Sequence, residues 1–151
     1  MMNDKEQHYR ETLCRIDALC EGETDRISVI ATISCELFHT FGHFDWVGFY
    51  RNVGNDTLKV GPYQGGHGCL VIPFNKGVCG AAARTREVQN IADVNAIKDH
   101  IACSTTTQSE LVLPVIVDGE LIAVFDIDSD QLGAFDEIDI HYVEKILKNI
   151  H

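Results

Sequence analysis

No stretch of this 151-residue chain approaches the ~18 uninterrupted apolar residues of a membrane span, and the N-terminal Met1-Met2-Asn3-Asp4-Lys5-Glu6 lacks a signal peptide's apolar core. A cytoplasmic protein is the expectation. No two of its six cysteines form a Cys-x-x-Cys pair, which makes zinc a weak candidate, and a disulfide framework would be out of place in a reducing compartment. Residues 99–144 contain eleven carboxylates and neither Lys nor Arg, while the rest of the chain is neutral in sum, so the net charge of −11 is concentrated in one segment. That segment repels phosphate backbones and offers no basic stripe, which argues against nucleic acid and against anionic membranes as partners. It reads either as a solvated acidic face that aids solubility or as a site for an ammonium-bearing ligand. There is no internal repeat and no linker, so residues 1–151 are expected to form one domain.

With 45% hydrophobic residues, a chain of this length can bury roughly two thirds of its unfolded surface without a structural metal or disulfide. Tyr9, Leu13, Ile16 and Cys20 recur at helical spacing over residues 5–20, and Asp25 is placed to cap a second helix striped by Ile27, Ile30, Ala31, Leu37, Phe38 and Phe41. Phe44 to Tyr50 reads as an aromatic strand, and Asn55-Asp56 as a turn into a strand around Leu58 to Val60. Gly61 to Gly68 reads as a glycine-rich loop, Cys69 to Pro73 as a strand, Gly77 to Arg86 as a short helix and Val88 to Ile91 as a strand. The aperiodic segment Asn95 to Ser109 is expected to be a long loop, of the kind that often carries function. Leu111 to Val117 and Glu120 to Asp128 flank Asp118-Gly119, a preferred two-residue turn, and predict an antiparallel hairpin. Asp136 can cap a last helix that buries Ile138, Tyr142, Val143, Ile146, Leu147 and Ile150. The sum is an α+β fold, helices packed on an antiparallel sheet. The apolar stripes of the terminal helices could pack on that sheet or join two copies as a homodimer.

The candidate chemistry lies in cysteines and carboxylates. Cys14, Cys20 and Cys35 fall on helices, where a free cysteine acts as a small hydrophobe. Cys69, Cys79 and Cys103 instead neighbour glycines or loop sequence. Cys103 follows His100 by three residues, and Cys79 sits near a helix start; either setting can favour a thiolate, but Cys79 can equally be packed under the Gly77-to-Gly80 turn, and spacing alone does not decide. Two thiols brought together from distant loops could attack a substrate and resolve as a disulfide, the logic of a peroxidase or a sulfoxide reductase. On the second hairpin strand, alternation puts Asp126 and Asp128 on one face with Ile122 and Val124. Two acids about 6–7 Å apart on one strand face can grip an ammonium, and their mutual repulsion can leave one protonated as a proton donor. In a perfect ladder about Asp118-Gly119, Leu111 would oppose Asp126 and Glu110 would face away unless a bulge redirected it.

The string Gly61-Pro62-Tyr63-Gln64-Gly65, Cys69, Ile72-Pro73-Phe74, Gly77-Val78-Cys79-Gly80, His100-Ile101-Ala102-Cys103, Ser109-Glu110 and Phe125-Asp126-Ile127-Asp128-Ser129 closely resembles the free methionine-(R)-sulfoxide reductases built on a GAF domain. The resemblance runs from about Trp46 to Asp139. It implies a GAF-like fold with a central antiparallel sheet flanked by helices, and a small free amino acid, L-methionine-(R)-sulfoxide, as substrate. It implies that Cys103 attacks, that Cys69 resolves it as a disulfide, that Cys79 is the family's third cysteine, and that thioredoxin restores the thiols. Glu110, Asp126 and Asp128 are implied to hold the ammonium and assist at the sulfoxide oxygen, with Trp46 and Tyr50 as an aromatic wall around the methyl group. No metal or organic cofactor is implied. Ser104 follows Cys103 where the family commonly has an aspartate. The competing expectations are a sensory GAF module that binds a metabolite without turnover, and a thiol redox switch.

Overall fold

The computed structural model describes residues 1–101 and 103–151; Ala102, part of the His-Ile-Ala-Cys motif, lies outside the described residues. Two helices, α1 (Asp4–Cys20) and α2 (Arg26–Thr40), lead into β1 (Trp46–Asn52), β2 (Thr57–Gly65) and β3 (Val71–Pro73). The chain continues through α3 (Gly77–Thr85) and β4 (Gln89–Ile91), then a loop that opens with a short 3-10 turn at Val94–Ala96. It closes with β5 (Ser109–Val117), β6 (Glu120–Ser129) and α4 (Glu137–Leu147). The strands form one antiparallel sheet in the order β3-β2-β1-β6-β5-β4. No helix among the described residues is long and apolar enough to cross a membrane.

The caps sit where side-chain chemistry places them. Asn3 accepts from the Lys5 amide, Asp25 from the Ile27 amide, and Asp136 forms a reciprocal capping box with Asp139. The expected hairpin is present, with Asp118 and Gly119 both at positive φ in its turn, and Asn55 and Asp56 likewise form the turn between β1 and β2. Two expectations are corrected. The segment from Gly61 to Gly65 is not loop but the second half of β2, which accommodates Gly61-Pro62 as an irregularity between the Gly48–Tyr63 and Tyr50–Val60 pairs. On α2 the buried side is Val29, Ile30, Ile33, Ser34 and Leu37, and Ile27 and Ala31 face solvent. The helix is rotated from the predicted stripe because Val29 and Ile33, not Ile27 and Ala31, continue the row of Ile30 and Leu37 onto the sheet.

The sheet separates two apolar clusters. On one face Tyr9, Ile16, Ile33, Leu37, Val143 and Ile146 of the helices pack on Val47, Phe49, Leu113, Phe125 and Ile127. The stripes of α1 and α4 are thus used inside the chain. On the other face α3 packs through Val78, Cys79, Ala82 and Ala83 against Leu58, Ile72, Val112, Leu121 and Val124. A Cβ on Gly80 would lie 2.6 Å from the Phe74 carbonyl oxygen, so only glycine lets α3 approach the β3 backbone this closely.

The helical layer is joined by one buried carboxylate. Asp139 on α4 accepts from the Tyr9 hydroxyl at 2.6 Å and the Asp136 amide at 2.8 Å, and it also pairs with Lys5. Removing it strands the buried Tyr9 hydroxyl and leaves Lys5 with Asp136 alone. Asp139→Ala is expected to cost about 3 kcal/mol in urea unfolding, and Tyr9→Phe about 1 kcal/mol.

Candidate active site

The register of the β5–β6 hairpin decides which acids meet. Val117 pairs with Glu120 and Ile116 with Leu121, but Val115 pairs with Ala123, so Ile122 is an extra, unpaired residue in β6. This bulge corrects the perfect-ladder expectation. It moves Leu121 onto the face of Val124, Asp126 and Asp128, sends Ile122 to the opposite face, and sets Glu110 directly across from Asp128 and Val112 across from Asp126. On the other flank Asp128 pairs with Trp46 and Asp126 with Gly48. Three carboxyls from two strands and the aromatic residues of β1 therefore share one face.

That face floors a cavity of about 550 Å³ beneath α3 and the loops carrying residues 66–68 and 100–107. Trp46, Tyr50, Cys79, Glu110, Asp126, Asp128, His100 and Cys103 all line it, and no Lys or Arg does. Trp46 stacks between Tyr50 and Tyr63, with ring centroids 5.6 and 5.1 Å away, and its indole N–H donates to the Gly66 carbonyl at 3.0 Å. Tyr63 reaches this wall because β2 continues past Val60 to Gly65, where the glycines and Pro62 mask the strand pattern. Gly68 has no room for a side chain: a Cβ would meet the Trp46 ring at 2.8 Å and the Tyr50 hydroxyl at 3.1 Å. Asp45, also unforeseen, fixes the cavity edge by accepting from the Asp130 amide at 2.7 Å.

At the mouth, Cys69 and Cys103 are joined by a disulfide across 34 residues of chain, with their Cα atoms 5.5 Å apart. Cys103 is exposed and Cys69 half-buried. Of the three helical cysteines Cys20 is buried and Cys35 half-buried, whereas Cys14 is exposed rather than packed.

The electrostatics divide the carboxyls. Burial raises the pKa of Asp126 well above the ordinary carboxylate range, and its neighbours Asp128 and Glu110 add to this; Asp128 is raised by burial and by Glu110. Burial pushes Glu110 in the same direction, but hydrogen bonding with His100, Asp126 and Asp128 outweighs it and leaves Glu110 below its ordinary value. His100 Nε2 lies 3.6 Å from Glu110 Oε1 and is raised by that carboxylate. Oδ1 of Asp126 and Oδ1 of Asp128 are both buried without a hydrogen-bond partner. Such atoms are costly unless a ligand satisfies them. Of the two settings open to Cys79 the structure shows the packed one: its thiol is buried and raised well above its ordinary pKa, first by desolvation and then by Asp126 and Glu110. The start of α3 does not activate it as a thiolate.

The GAF domain family model matches residues 24–150. The chain is 43% identical over 148 residues to Protein YtsP of Bacillus subtilis, covering 97% of this chain and 91% of that one. It is 39% identical over 136 residues to the free methionine-R-sulfoxide reductase of Escherichia coli, covering 90% and 82%. Its structure superposes with a TM-score of 0.91, at 41% identity and with 99% and 89% coverage, on the free methionine-R-sulfoxide reductase of Neisseria meningitidis in complex with its substrate. The chain belongs to the GAF-domain family that includes the free methionine-R-sulfoxide reductases. The GAF fold explains why the cavity lies on the α3 face of the sheet: α1, α2 and α4 cover the other.

The buried acids of this GAF cavity link its stability to pH with a definite sign. Asp126 and Asp128 have folded pKa values above their unfolded value of about 4. The stability tied to their protonated forms is complete below about pH 4 and is lost as the pH rises through the raised values. Urea unfolding from pH 4 to 8 should therefore show Asp126→Asn gaining on the wild type as pH increases. A difference that stays flat would contradict the raised pKa.

Proposed function

We propose that residues 1–151 act as one enzymatic unit, an oxidoreductase that reduces free L-methionine-(R)-sulfoxide to methionine. The observation that carries this reading is the pairing of a cysteine couple at the cavity mouth with three buried carboxyls at its floor, two of which have an unpartnered oxygen. A free amino acid has the ammonium that such oxygens need. A methionyl residue in a peptide does not, which accounts for selectivity toward the free form.

Glu110, kept charged beside His100, draws the ammonium inward, while Trp46 and Tyr50 flank the thioether end. The Cys103 thiolate attacks the sulfoxide sulfur as the proton held by the Asp126–Asp128 pair passes to the sulfoxide oxygen. The oxygen leaves on Cys103 as a sulfenic acid and methionine is released. The Cys69 thiol then attacks the Cys103 sulfur, expelling water and forming the disulfide seen at the mouth. An external dithiol, thioredoxin by family analogy, supplies the two electrons that restore both thiols. A reducing compartment such as the cytoplasm suits this cycle. Cys79, buried and held as the thiol by desolvation and by Asp126 and Glu110, has no attacking role in this cycle. The terminal stripes are already buried within the chain, so a homodimer would have to form through other surfaces.

The test is NADPH consumption coupled through thioredoxin and its reductase. The wild type is expected to turn over the free (R)-sulfoxide and neither the (S)-epimer nor a peptide-bound sulfoxide, and Cys103→Ser to lose at least about 10³-fold. Binding of the sulfoxide by fully reduced protein without turnover would replace this reading with a sensory module. Disulfide formation with peroxide as fast as with any sulfoxide would replace it with a redox switch.

A further inference from the structure

Cys79 has no redox step in the cycle above, yet its sulfur belongs to a tight donor cluster. One ligand atom each from Cys79, Glu110 and Asp126 lie within 4.8 Å of one another, and all three residues are buried. They come from α3, β5 and β6, elements that hold each other rigidly. Asp126 lines the cavity, is only 3% exposed, and has a buried Oδ1 without a hydrogen-bond partner. His100 Nε2 lies 3.6 Å from Glu110 Oε1, outside the trio, and joins it as a further donor only by side-chain rotation. No Lys or Arg lines the cavity, so no fixed cation offsets the charge.

The donor set selects among ions. Hard cations such as Mg²⁺ and Ca²⁺ take oxygen shells and leave thiols alone, whereas sulfur, carboxylate and imidazole together suit a borderline divalent ion. In a tetrahedral zinc site a sulfur and an oxygen stand about 3.6 Å apart, so contracting the trio by about 1 Å through side-chain rotation completes the geometry. The cavity supplies the entry path. We propose that its inner end binds a borderline divalent cation of the zinc type through Cys79, Glu110 and Asp126, with His100 as fourth donor. Binding releases the Cys79 proton and any proton on His100 to solvent, leaves the proton shared by the two aspartates on Asp128, changes no oxidation state, and occupies the place assigned to the substrate's ammonium. The binding rests on the donor geometry; its consequence, reversible inhibition competitive with the sulfoxide, rests on the proposed reductase function.

Cobalt(II) is the probe, titrated into the full-length chain with the Cys69–Cys103 disulfide formed, so that Cys79 is the only free thiol lining the cavity. One ion per chain with tetrahedral visible bands and a near-ultraviolet sulfur-to-cobalt band is expected, displaced by zinc. Cys79→Ser should lose the near-ultraviolet band, and Glu110→Gln should weaken binding by at least about tenfold. X-ray absorption of the wild-type zinc complex reads one sulfur per ion without requiring any variant to fold. An all-nitrogen-and-oxygen shell, or a sulfur band that survives in folded Cys79→Ser, would overturn the proposal. In the reduced enzyme zinc should raise KM for the sulfoxide at unchanged kcat. Absence of turnover with intact cobalt spectra would refute the reductase reading and leave the metal site standing.

Discussion

The convergence of the three cavity carboxyls depends on a single unpaired residue in β6. Because Ile122 has no partner in β5, the ladder beyond it is offset by one, and Glu110 arrives opposite Asp128 rather than on the far face. Without that offset the strand alternation would turn Glu110 toward the helices of the other layer, away from Asp126 and Asp128. The same bulge places Leu121 under α3, so the packing of the helix and the convergence of the acids have one cause.

The cost of this arrangement is electrostatic. Three carboxyls share one buried floor, with unpartnered oxygens on two of them and His100 as the nearest counter-charge. Such a floor destabilises the empty protein and favours whatever brings an ammonium, a proton or a metal ion to it. The opposite layer compensates: Asp139, Lys5 and Tyr9 tie α1 to α4, and a continuous apolar cluster underlies the sheet. Rigidity on the helical face leaves the ligand loops free to carry the cysteines.

Much of this was legible before any coordinates. Helix caps at Asp25 and Asp136, the Asp118-Gly119 turn and the shared face of Asp126 and Asp128 follow from local chemistry that tertiary packing does not override. The motif string added the fold and the cysteine pair. What sequence left open was set by long-range contacts. The position of the bulge depends on how both hairpin strands pack. The second half of β2 was hidden by its glycines and Pro62, and with it Tyr63. The burial that keeps Cys79 protonated comes from β5 and β6, some 30 to 50 residues further along the chain. The metal-ligand set was invisible because each donor lies on a different element, so no spacing rule applies to it.

The central claim is that the cavity and the Cys69–Cys103 pair together carry out one two-electron reduction per cycle. The most direct measurement mixes fully reduced protein with excess free L-methionine-(R)-sulfoxide in the absence of any external reductant, and counts methionine formed and thiols lost. The account predicts about one methionine per chain, accompanied by the loss of two thiols and the appearance of the Cys69–Cys103 disulfide. Loss of the same two thiols without methionine would contradict it.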